Sequence, residues 1–412
     1  MLTGRQSDTL YPRFSEAEFS HRYAAVRTIM QDADLAALVI YGAIGSQEIL
    51  YFSDFEVTRE AMLIFPSEGY ISALLSGARR DSVVAEPHSN TEPAMFIQMY
   101  NHVPNARRVA SINDIRWGGS DTATAVVANI QERGLAEQRI GIVGMIPVQK
   151  YETLKQALPH ATLVDFTRQI QQLRLVKSDE ELAFLRKGAE LSDRAIEALE
   201  REVRPGMTEH QLAAIVEGSY LGVGGKNSIH YMATTPMQHP EICVPAQHLS
   251  SRIIEKGDIL ITEISAQYHG YPGQILRPFA IGTPPTAAYQ RMYDVAVEAF
   301  TRVAHVICAG ATTEEVLDAA EYIHNAGFTI YDDLVHSLGG GYLPPILRTR
   351  RTSAEPSQPF TFKENMTVVI QPNIITEDEH MGLQVGELVQ VTRNGVKSLH
   401  RYPMRFIQCG NV

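Results

Sequence analysis

The sequence predicts an α+β protein with two domains, and three observations carry this prediction. The 412 residues are enough for two or three domains that each bury a core. The first part of the chain alternates short apolar runs with amphipathic stretches, which is typical of an α/β domain. In the second part the strand patterns are separated from the helices, which favours a curved antiparallel sheet. We therefore divide the chain into residues 1–172 and residues 173–412.

The N-terminal elements follow from apolar periodicity. The stretch "EFSHRYAAVRTIMQDADLAALVIYG" predicts an amphipathic helix from Tyr23 to Met30 and then a buried strand from Ala36 to Tyr41. The segments "EAMLIFP", "YISALLS" and "RIGIVG" repeat the short-strand pattern, and a helix is predicted from Asp121 to Glu132. This alternation indicates an α/β domain of its own.

The second domain is predicted to begin with a long helix in "KSDEELAFLRKGAELSDRAIEALE". Ser178 and Glu181 have the spacing of a capping box, which marks a helix start. The apolar residues that follow recur at helical spacing and form one face: Leu182, Leu185, Ala189, Ala195, Ile196 and Leu199.

The rest of the second domain predicts three helices and two sets of paired strands. The helices are at "TEHQLAAIVEGSYL", "TAAYQRMYDVAVEAFTRVAHVI" and "TTEEVLDAAEYIHNAG". The strand pairs are at residues 258–281 and 366–399.

Composition excludes several classes of protein. The 47 acidic and 36 basic side chains give a net charge of −11, so a nucleic-acid partner is not expected. The three cysteines, Cys243, Cys308 and Cys409, are far apart and have no metal-ligand spacing, so we interpret them as packing thiols in a reducing compartment. The sequence shows neither a signal peptide nor the run of about 18 apolar residues that a membrane span needs. We expect a cytoplasmic protein without a membrane partner.

Common catalytic motifs are absent. The sequence has no His-Glu-x-x-His, no Gly-x-Ser-x-Gly and no Walker loop, and "GVGGKNS" lacks the Lys-Ser/Thr ending of a phosphate-binding loop. These absences disfavour a zincin, a serine hydrolase and a phosphate-binding enzyme.

The order of elements carries a family resemblance. A capped helix leads to a histidine-containing loop, a "GD" hairpin, an "HSLGG" turn, "NMTVVIQP" and "GELVQVTRNGV". This order resembles the creatinase, prolidase and methionine aminopeptidase superfamily, with its pita-bread fold, over residues 170–400. The resemblance implies an N-terminal creatinase-like domain, a C-terminal catalytic domain and a homodimer that acts on a small molecule.

The resemblance also implies that the metal site of this superfamily has been lost. Metal-dependent relatives hold two divalent ions with Asp, Asp, His, Glu and Glu, and the motifs place these positions at Glu263, Gln274, His336, Gln371 and Gly386. A bridged pair of divalent ions needs several anionic oxygens. One carboxylate remains, so we expect a metal-deficient, creatinase-like member with no cofactor.

The remaining candidate residues also come from this resemblance. Creatinase uses a loop histidine as a proton shuttle, and this loop offers His239 and His248. Arg348, twelve residues after His336, and Arg59 from the N-terminal domain match arginines that hold a substrate carboxylate. Arg59 would act across the dimer.

Glu263 has two interpretations. Flanked by apolar residues in a buried strand, its carboxylate needs either a partner or a raised pKa, and a raised pKa suits a general base near neutral pH. The alternative is a structural ion pair with Arg277 on the facing strand. Gln274 and Gln371 also have two interpretations. Their amide groups either form hydrogen bonds with a substrate carbonyl, or they form a buried hydrogen-bonded pair with each other.

The sequence therefore predicts a metal-independent hydrolase that cleaves a C–N bond in a small carboxylate-bearing compound of amidino, amide or cyclic amidine type. Glu263 would activate water or attack directly, and His248 or His336 would protonate the leaving nitrogen. The expected substrate-binding residues are Gln274, Gln371, Arg348, Arg59 and His239. Three alternatives stay open: a decarboxylase or lyase in the same pocket, a non-catalytic binding member of the family, and a metal-dependent Xaa-Pro-type dipeptidase.

Overall fold

A computed structural model describes residues 12–57, 59–67, 93–97, 114–117, 121–244 and 247–410. The chain divides into two compact units, one that ends at Arg174 and one that begins at Leu175. The predicted strand "YISALLS" lies outside the described residues. Elsewhere the structure confirms the mixed helix-and-strand class that the sequence predicts.

The first unit contains a mixed sheet covered by helices. Its described helices are α1 (Glu16–Asp32), α2 (Gln47–Ser53), α3 (Thr122–Glu132), α4 (Val148–Ala157) and α5 (Thr167–Leu173). Its described strands are β1 (Ala37–Ala43), β2 (Glu60–Pro66), β3 (Ala94–Ile97), β4 (Asp114–Trp117), β5 (Arg139–Val143) and β6 (Thr162–Asp165). The strands lie in the order β4-β3-β2-β1-β5-β6.

Strand β1 shows why the N-terminal apolar run has no polar alternation. Leu38 and Ile40 pack with α1, α2 and α5, whereas Ala37 and Val39 pack on the opposite face with α3 and α4. Both faces of the strand are therefore buried, and each successive side chain must be apolar.

The second unit begins with α6 (Asp179–Glu202), which forms the predicted capping box. Ser178 Oγ accepts a hydrogen bond from the Glu181 backbone N–H at 3.1 Å, and the Glu181 carboxylate accepts one from the Ser178 N–H at 3.0 Å. The six apolar positions predicted for one face of this helix are all buried.

The other elements of the second unit segregate into helices and sheets. The helices are α7 (Glu209–Leu221), α8 (Ala287–Val306) and α9 (Thr313–Asn325). The strands of the large sheet are β7 (Lys226–Pro236), β8 (Asp258–Tyr268), β9 (Tyr271–Leu276), β10 (Phe279–Ile281), β12 (Val335–Leu338), β13 (Tyr342–Leu347), β14 (Thr367–Ile370), β17 (Gly386–Thr392), β18 (Gly395–Ser398) and β19 (Ile407–Cys409). A small sheet contains β11 (Thr329–Ile330), β15 (Asn373–Ile375) and β16 (Gly382–Gln384).

The order of the large sheet determines which side chains can meet. Its main path is β13-β12-β14-β17-β9-β8-β10-β19, with β18 beside β17 and β7 beside β8. The two strand pairs predicted at 258–281 and 366–399 therefore lie side by side, joined by the antiparallel pairing of β9 with β17.

Helices cover both faces of this sheet. Leu260 and Ile264 of β8 pack in the core that contains α6 and α7, whereas Ile259 and Ile261 pack in the core that contains α8 and α9. Side chains alternate along a strand, so Glu263 continues the second set. The Glu263 carboxylate thus follows the buried side chains of Ile259 and Ile261 on the face of the sheet that α8 and α9 cover.

The cysteines are free thiols, with Cys243 and Cys409 buried and Cys308 partly exposed. None of the helices in the described ranges is long and apolar enough to cross a bilayer.

Candidate active site

Three strands bring a buried polar cluster together at the centre of the large sheet. Glu263 is on β8 and Gln274 is on the adjacent strand β9, and the Gln274 Nε2 donates to Glu263 Oε1 at 3.0 Å. The same Nε2 donates to Oε1 of Gln371, which directly follows β14, at 2.7 Å. All three side chains are buried.

The second oxygen of Glu263 is also held by an amide. Gln384 Nε2 donates to Glu263 Oε2 at 3.1 Å, and Gln247 Nε2 donates to Gln384 Oε1. Each oxygen of the carboxylate therefore accepts a hydrogen bond from a neutral group. This cage of glutamine amides, formed by Gln247, Gln274, Gln371 and Gln384, orients the carboxylate without neutralising it.

The environment of Glu263 favours its protonated form. Only 7% of the residue is exposed, and burial raises the pKa of its carboxyl group to about 7. Asp332 raises this pKa further, the hydrogen bond from Gln384 lowers it, and Asp333 raises it. A carboxyl group that titrates near neutral pH can both accept and return a proton.

His336 lies in the same cluster as a neutral imidazole. It is 2% exposed, and burial lowers its pKa to about 4, while hydrogen bonds to the Ser337 backbone oxygen and the Gln371 side chain act in the opposite direction. Its ring centroid lies 4.4 Å from that of Tyr342. At neutral pH the His336 ring is therefore uncharged. It can form hydrogen bonds, but it lacks the second ring proton that a general acid would donate.

Asp333 connects this cluster to the protein surface. Its backbone oxygen accepts from Gln371 Nε2 at 3.3 Å, and its carboxylate accepts from the Tyr342 hydroxyl. Arg348 Nε lies 3.8 Å from Asp333 Oδ1. Burial raises the pKa of Asp333 to about 6, Asp332 raises it further, and Arg348 lowers it. Asp333 is thus a second carboxyl group that titrates close to neutral pH.

The structure brings together only part of the predicted site. Glu263, Gln274, Gln371 and His336 share one buried cluster, and Arg348 lies beside it with 43% of its side chain exposed. These placements leave the roles of the residues as predictions.

The other three predicted residues are exposed. His239 and His248 lie in the segment between β7 and β8, and no hydrogen bond among the described residues joins either one to Glu263. Arg59 belongs to the first unit. Their assignments also stay predictions.

The predicted alternative of an ion pair between Glu263 and Arg277 is wrong. Arg277 Nη2 binds Glu387 Oε2 at 2.5 Å, and Arg277 is fully buried. Glu263 faces Leu276 across the β8–β9 ladder, so the next residue projects to the opposite face of the sheet. The two charged residues are therefore on different sides.

Sequence reasoning missed three residues of the site: Gln247, Gln384 and Asp333. The consecutive acids in "YDDLVHS", three residues before His336, were the available signal for Asp333. The two glutamines had no comparable signal, because Gln384 meets Glu263, and Gln247 meets Gln384, only through tertiary contacts.

The residues at the five inferred metal positions do not fit a pair of divalent cations. Gly386 has no side chain, and a Cβ there would lie 2.3 Å from the Ile370 backbone oxygen and 2.8 Å from Gln371 Cα. Amide oxygens and one carboxylate leave most of the charge of two divalent ions uncompensated. Within the described ranges, no group of three His, Cys, Asp or Glu side chains could hold a metal ion.

The fold and the site define a two-domain chain with a pita-bread catalytic domain. Residues 183–393 match metallopeptidase family M24, and residues 22–176 match the creatinase/prolidase N-terminal domain. The chain therefore belongs to family M24, a family of hydrolases, and the resemblance inferred from the order of elements is confirmed.

The individual relatives share low sequence identity with this chain. An uncharacterized hydrolase/peptidase, y4tL, from Sinorhizobium fredii is 26% identical over 95% of this chain and 96% of its own length. An Xaa-Pro dipeptidase from Pyrococcus furiosus is 27% identical over 64% of this chain and 73% of its own length. An Xaa-Pro dipeptidase structure from Bacillus anthracis has a TM-score of 0.76 at 20% identity, and covers 95% of this chain and 99% of its own. The last likeness shows the fold alone.

Proposed function

We propose that this chain is a metal-independent hydrolase that cleaves the C–N bond of a small, carboxylate-bearing amide. The single observation that carries the proposal is the environment of Glu263, a buried carboxylate held at both oxygens by glutamine amides. Cationic neighbours would lower its pKa, whereas this cage leaves a pKa of about 7, which suits a general base.

The reaction begins with water next to Glu263. The carboxylate takes a proton from this water while the water oxygen forms a bond to the amide carbon of the substrate, and the carbonyl double bond opens to leave the negative charge on the carbonyl oxygen. Gln274 and Gln371 lie beside the base and orient the scissile amide through their own amide groups. General-base help of this kind supplies about 10²–10⁴-fold in rate.

The second half of the reaction needs a proton donor. Asp333 is better suited than His336, because the imidazole is neutral at the pH where Asp333 still carries a proton part of the time. As the carbonyl re-forms and the C–N bond breaks, Asp333 gives its proton to the leaving nitrogen, and Glu263 then releases the proton it took from water to the solvent. Arg348, which lies beside Asp333, binds the substrate carboxylate and so anchors the amine side of the substrate.

The proposal is tested by amine release from a panel of N-acyl amino acids. The full chain is assayed after treatment with a chelator and, separately, with added Mn²⁺. We expect chelated protein to release amine at an undiminished rate. Activity that appears only with added Mn²⁺ would overturn the proposal, and release of carbon dioxide without amine would indicate the lyase alternative.

The pH dependence of kcat/KM provides a second test. Glu263 must be deprotonated and Asp333 protonated, and their pKa values are about 7 and about 6. Activity should fall below pH 6 because Glu263 gains a proton, and above pH 7 because Asp333 loses one. We expect a maximum between these values.

Replacing Asp333 with Asn should lower the rate and remove the decline above pH 7. If the decline of kcat/KM above pH 7 is unchanged in this variant, Asp333 is excluded as the proton donor.

A metal-dependent Xaa-Pro dipeptidase is the second candidate. Membership of a metallopeptidase family and the names of several relatives favour it. Hydrolysis of Xaa-Pro dipeptides that depends on Mn²⁺ would support this candidate over the metal-independent one.

A further inference from the structure

Strand β7 places two exposed apolar side chains next to Glu263. Tyr231 lies directly opposite Glu263 in the antiparallel β7–β8 ladder, and Ile229 lies directly opposite Ser265. Residues that are directly opposite in such a ladder project to the same face of the sheet. Ile229 and Tyr231 are nevertheless 42% and 43% exposed. They form an open apolar wall on the face that carries the base.

At positions 230 and 232, next to Ile229 and Tyr231, the opposite face of β7 has no such opening. Met232 is fully buried in the core beneath α6 and α7, and His230 Nε2 is 2.6 Å from the Tyr220 hydroxyl on that side. Over residues 229–232 the exposure of Ile229 and Tyr231 is therefore a property of the active-site face, since His230 and Met232 of the same strand are packed.

Ser265 supplies an independent sign that something binds here. The residue is 2% exposed, and its Oγ has no hydrogen-bond partner among the described residues. It lies between Ile229 on β7 and Gln274 on β9, and two residues from Glu263 on its own strand. A buried hydroxyl without a partner is unfavourable unless a ligand or water completes it.

The sheet order indicates which part of a substrate reaches this wall. Arg348 directly follows β13, which is the strand at one end of the main path. Strand β7 pairs with β8, the strand that carries Glu263, so Glu263 lies between Arg348 and β7 in the sheet order. In an N-acyl amino acid the carboxylate is on the amine side of the amide bond. With that carboxylate at Arg348, the acyl group points towards β7.

We propose that Ile229, Tyr231 and Ser265 form an acyl-group subsite that selects apolar acyl groups such as benzoyl. The inference rests on the proposed function for the orientation of the substrate. Ile229 and Tyr231 contact the apolar group, and the Ser265 hydroxyl hydrogen-bonds the acyl carbonyl. The substrate class is therefore N-aroyl amino acids in preference to N-acetyl amino acids.

The test is calorimetric titration of the full chain carrying Glu263→Gln with N-benzoylglycine and N-acetylglycine, which differ only in the acyl group. We expect N-benzoylglycine to bind at least about 10-fold more tightly. Tyr231→Ala added to this protein should reduce the ratio to about 2 or less. The control, Ile253→Ala, removes another exposed apolar residue of the second unit and should leave the ratio unchanged.

Ser265→Ala gives a second readout, which distinguishes a role of the hydroxyl in ligand binding from a role in stabilising the fold. It should weaken both compounds by about 5-fold while the melting temperature stays the same or rises, since an unpartnered hydroxyl is removed. A clear loss of stability in Ser265→Ala would mean that the hydroxyl serves the fold, and it would overturn this part of the subsite.

The remaining outcomes separate the two proposals. Equal affinity for both compounds would overturn the subsite even if amide hydrolysis is observed. Selective binding without any hydrolysis by the wild-type chain would support the subsite and contradict the proposed function. A change of oligomeric state in Tyr231→Ala, with the affinity ratio retained, would assign Ile229 and Tyr231 to a contact between chains and overturn the subsite.

Discussion

Replacing Glu263 with Gln is expected to reduce kcat/KM by about 10²–10⁴-fold on the N-acyl amino acid that the wild-type chain cleaves fastest. The substitution preserves the size of the side chain but removes the group that accepts the proton from water. Its neighbours, Gln274 and Gln384, can turn their amides to hydrogen-bond the new amide, so the fold should persist. Steady-state kinetics with circular dichroism as a folding check measures the effect.

The matched control is Glu298→Gln on α8, which makes the same chemical change at a residue that is 44% exposed and paired with Arg302. This variant should retain wild-type kinetics. A Glu263→Gln protein with more than about a tenth of the wild-type rate would contradict the assignment of Glu263 as the base.

Stability provides an independent check on the same variant. The folded-state pKa of Glu263 is about 7, above its ordinary value of 4.5, so the folded chain binds more protons than the unfolded chain between these pH values. The free energy of unfolding therefore decreases as the pH rises from 4.5 towards about 7, and this decrease is complete above the folded-state pKa of Glu263. In Glu263→Gln this contribution should be absent, which changes the slope of unfolding free energy against pH.

Replacing Gly386 with Ala is expected to destabilise the second unit by about 3 kcal/mol or more. The added Cβ would lie 2.3 Å from the Ile370 backbone oxygen, which is far inside van der Waals contact. The strand cannot easily move away, because the Gly386 oxygen accepts a hydrogen bond from the fully buried Arg277 at 2.7 Å. Urea denaturation measures the change in unfolding free energy.

Gly218→Ala is the control for this substitution. Gly218 is an exposed residue of α7, and nothing lies within 4 Å of the position that its Cβ would take. Alanine there should stabilise the protein by up to about 1 kcal/mol. If Gly386→Ala were as stable as the wild type, the close approach of β17 to Gln371 would not exist as described. The same clash means that a single Gly386→Glu substitution should not restore a metal ligand.

Local patterns predicted the elements of the fold well. The capping box at Ser178 and the apolar face of α6 depend on residues three or four apart, so the sequence displays them directly. The strand at "EAMLIFP" coincides with β2, because a run buried on both faces leaves a continuous apolar signature.

The site was only partly predictable, because its contacts join distant segments. Gln274 and Gln371 are 97 residues apart and hydrogen-bonded, and the resemblance to a known superfamily was needed to bring them together. Gln247 and Gln384 are 137 residues apart, outside any recognised motif. The mistaken pairing of Glu263 with Arg277 has a simple cause: the strands were identified, but their register was not, and a shift of one residue reverses the face.

The most direct test of the central claim is the number of divalent cations that the full chain binds. The protein is dialysed against Mn²⁺, separated from unbound ion by gel filtration and analysed by mass spectrometry for metal. Because the five positions offer one carboxylate, one neutral imidazole and two amides, we expect far less than one Mn²⁺ per chain. About two ions per chain, as a two-metal hydrolase requires, would contradict the account.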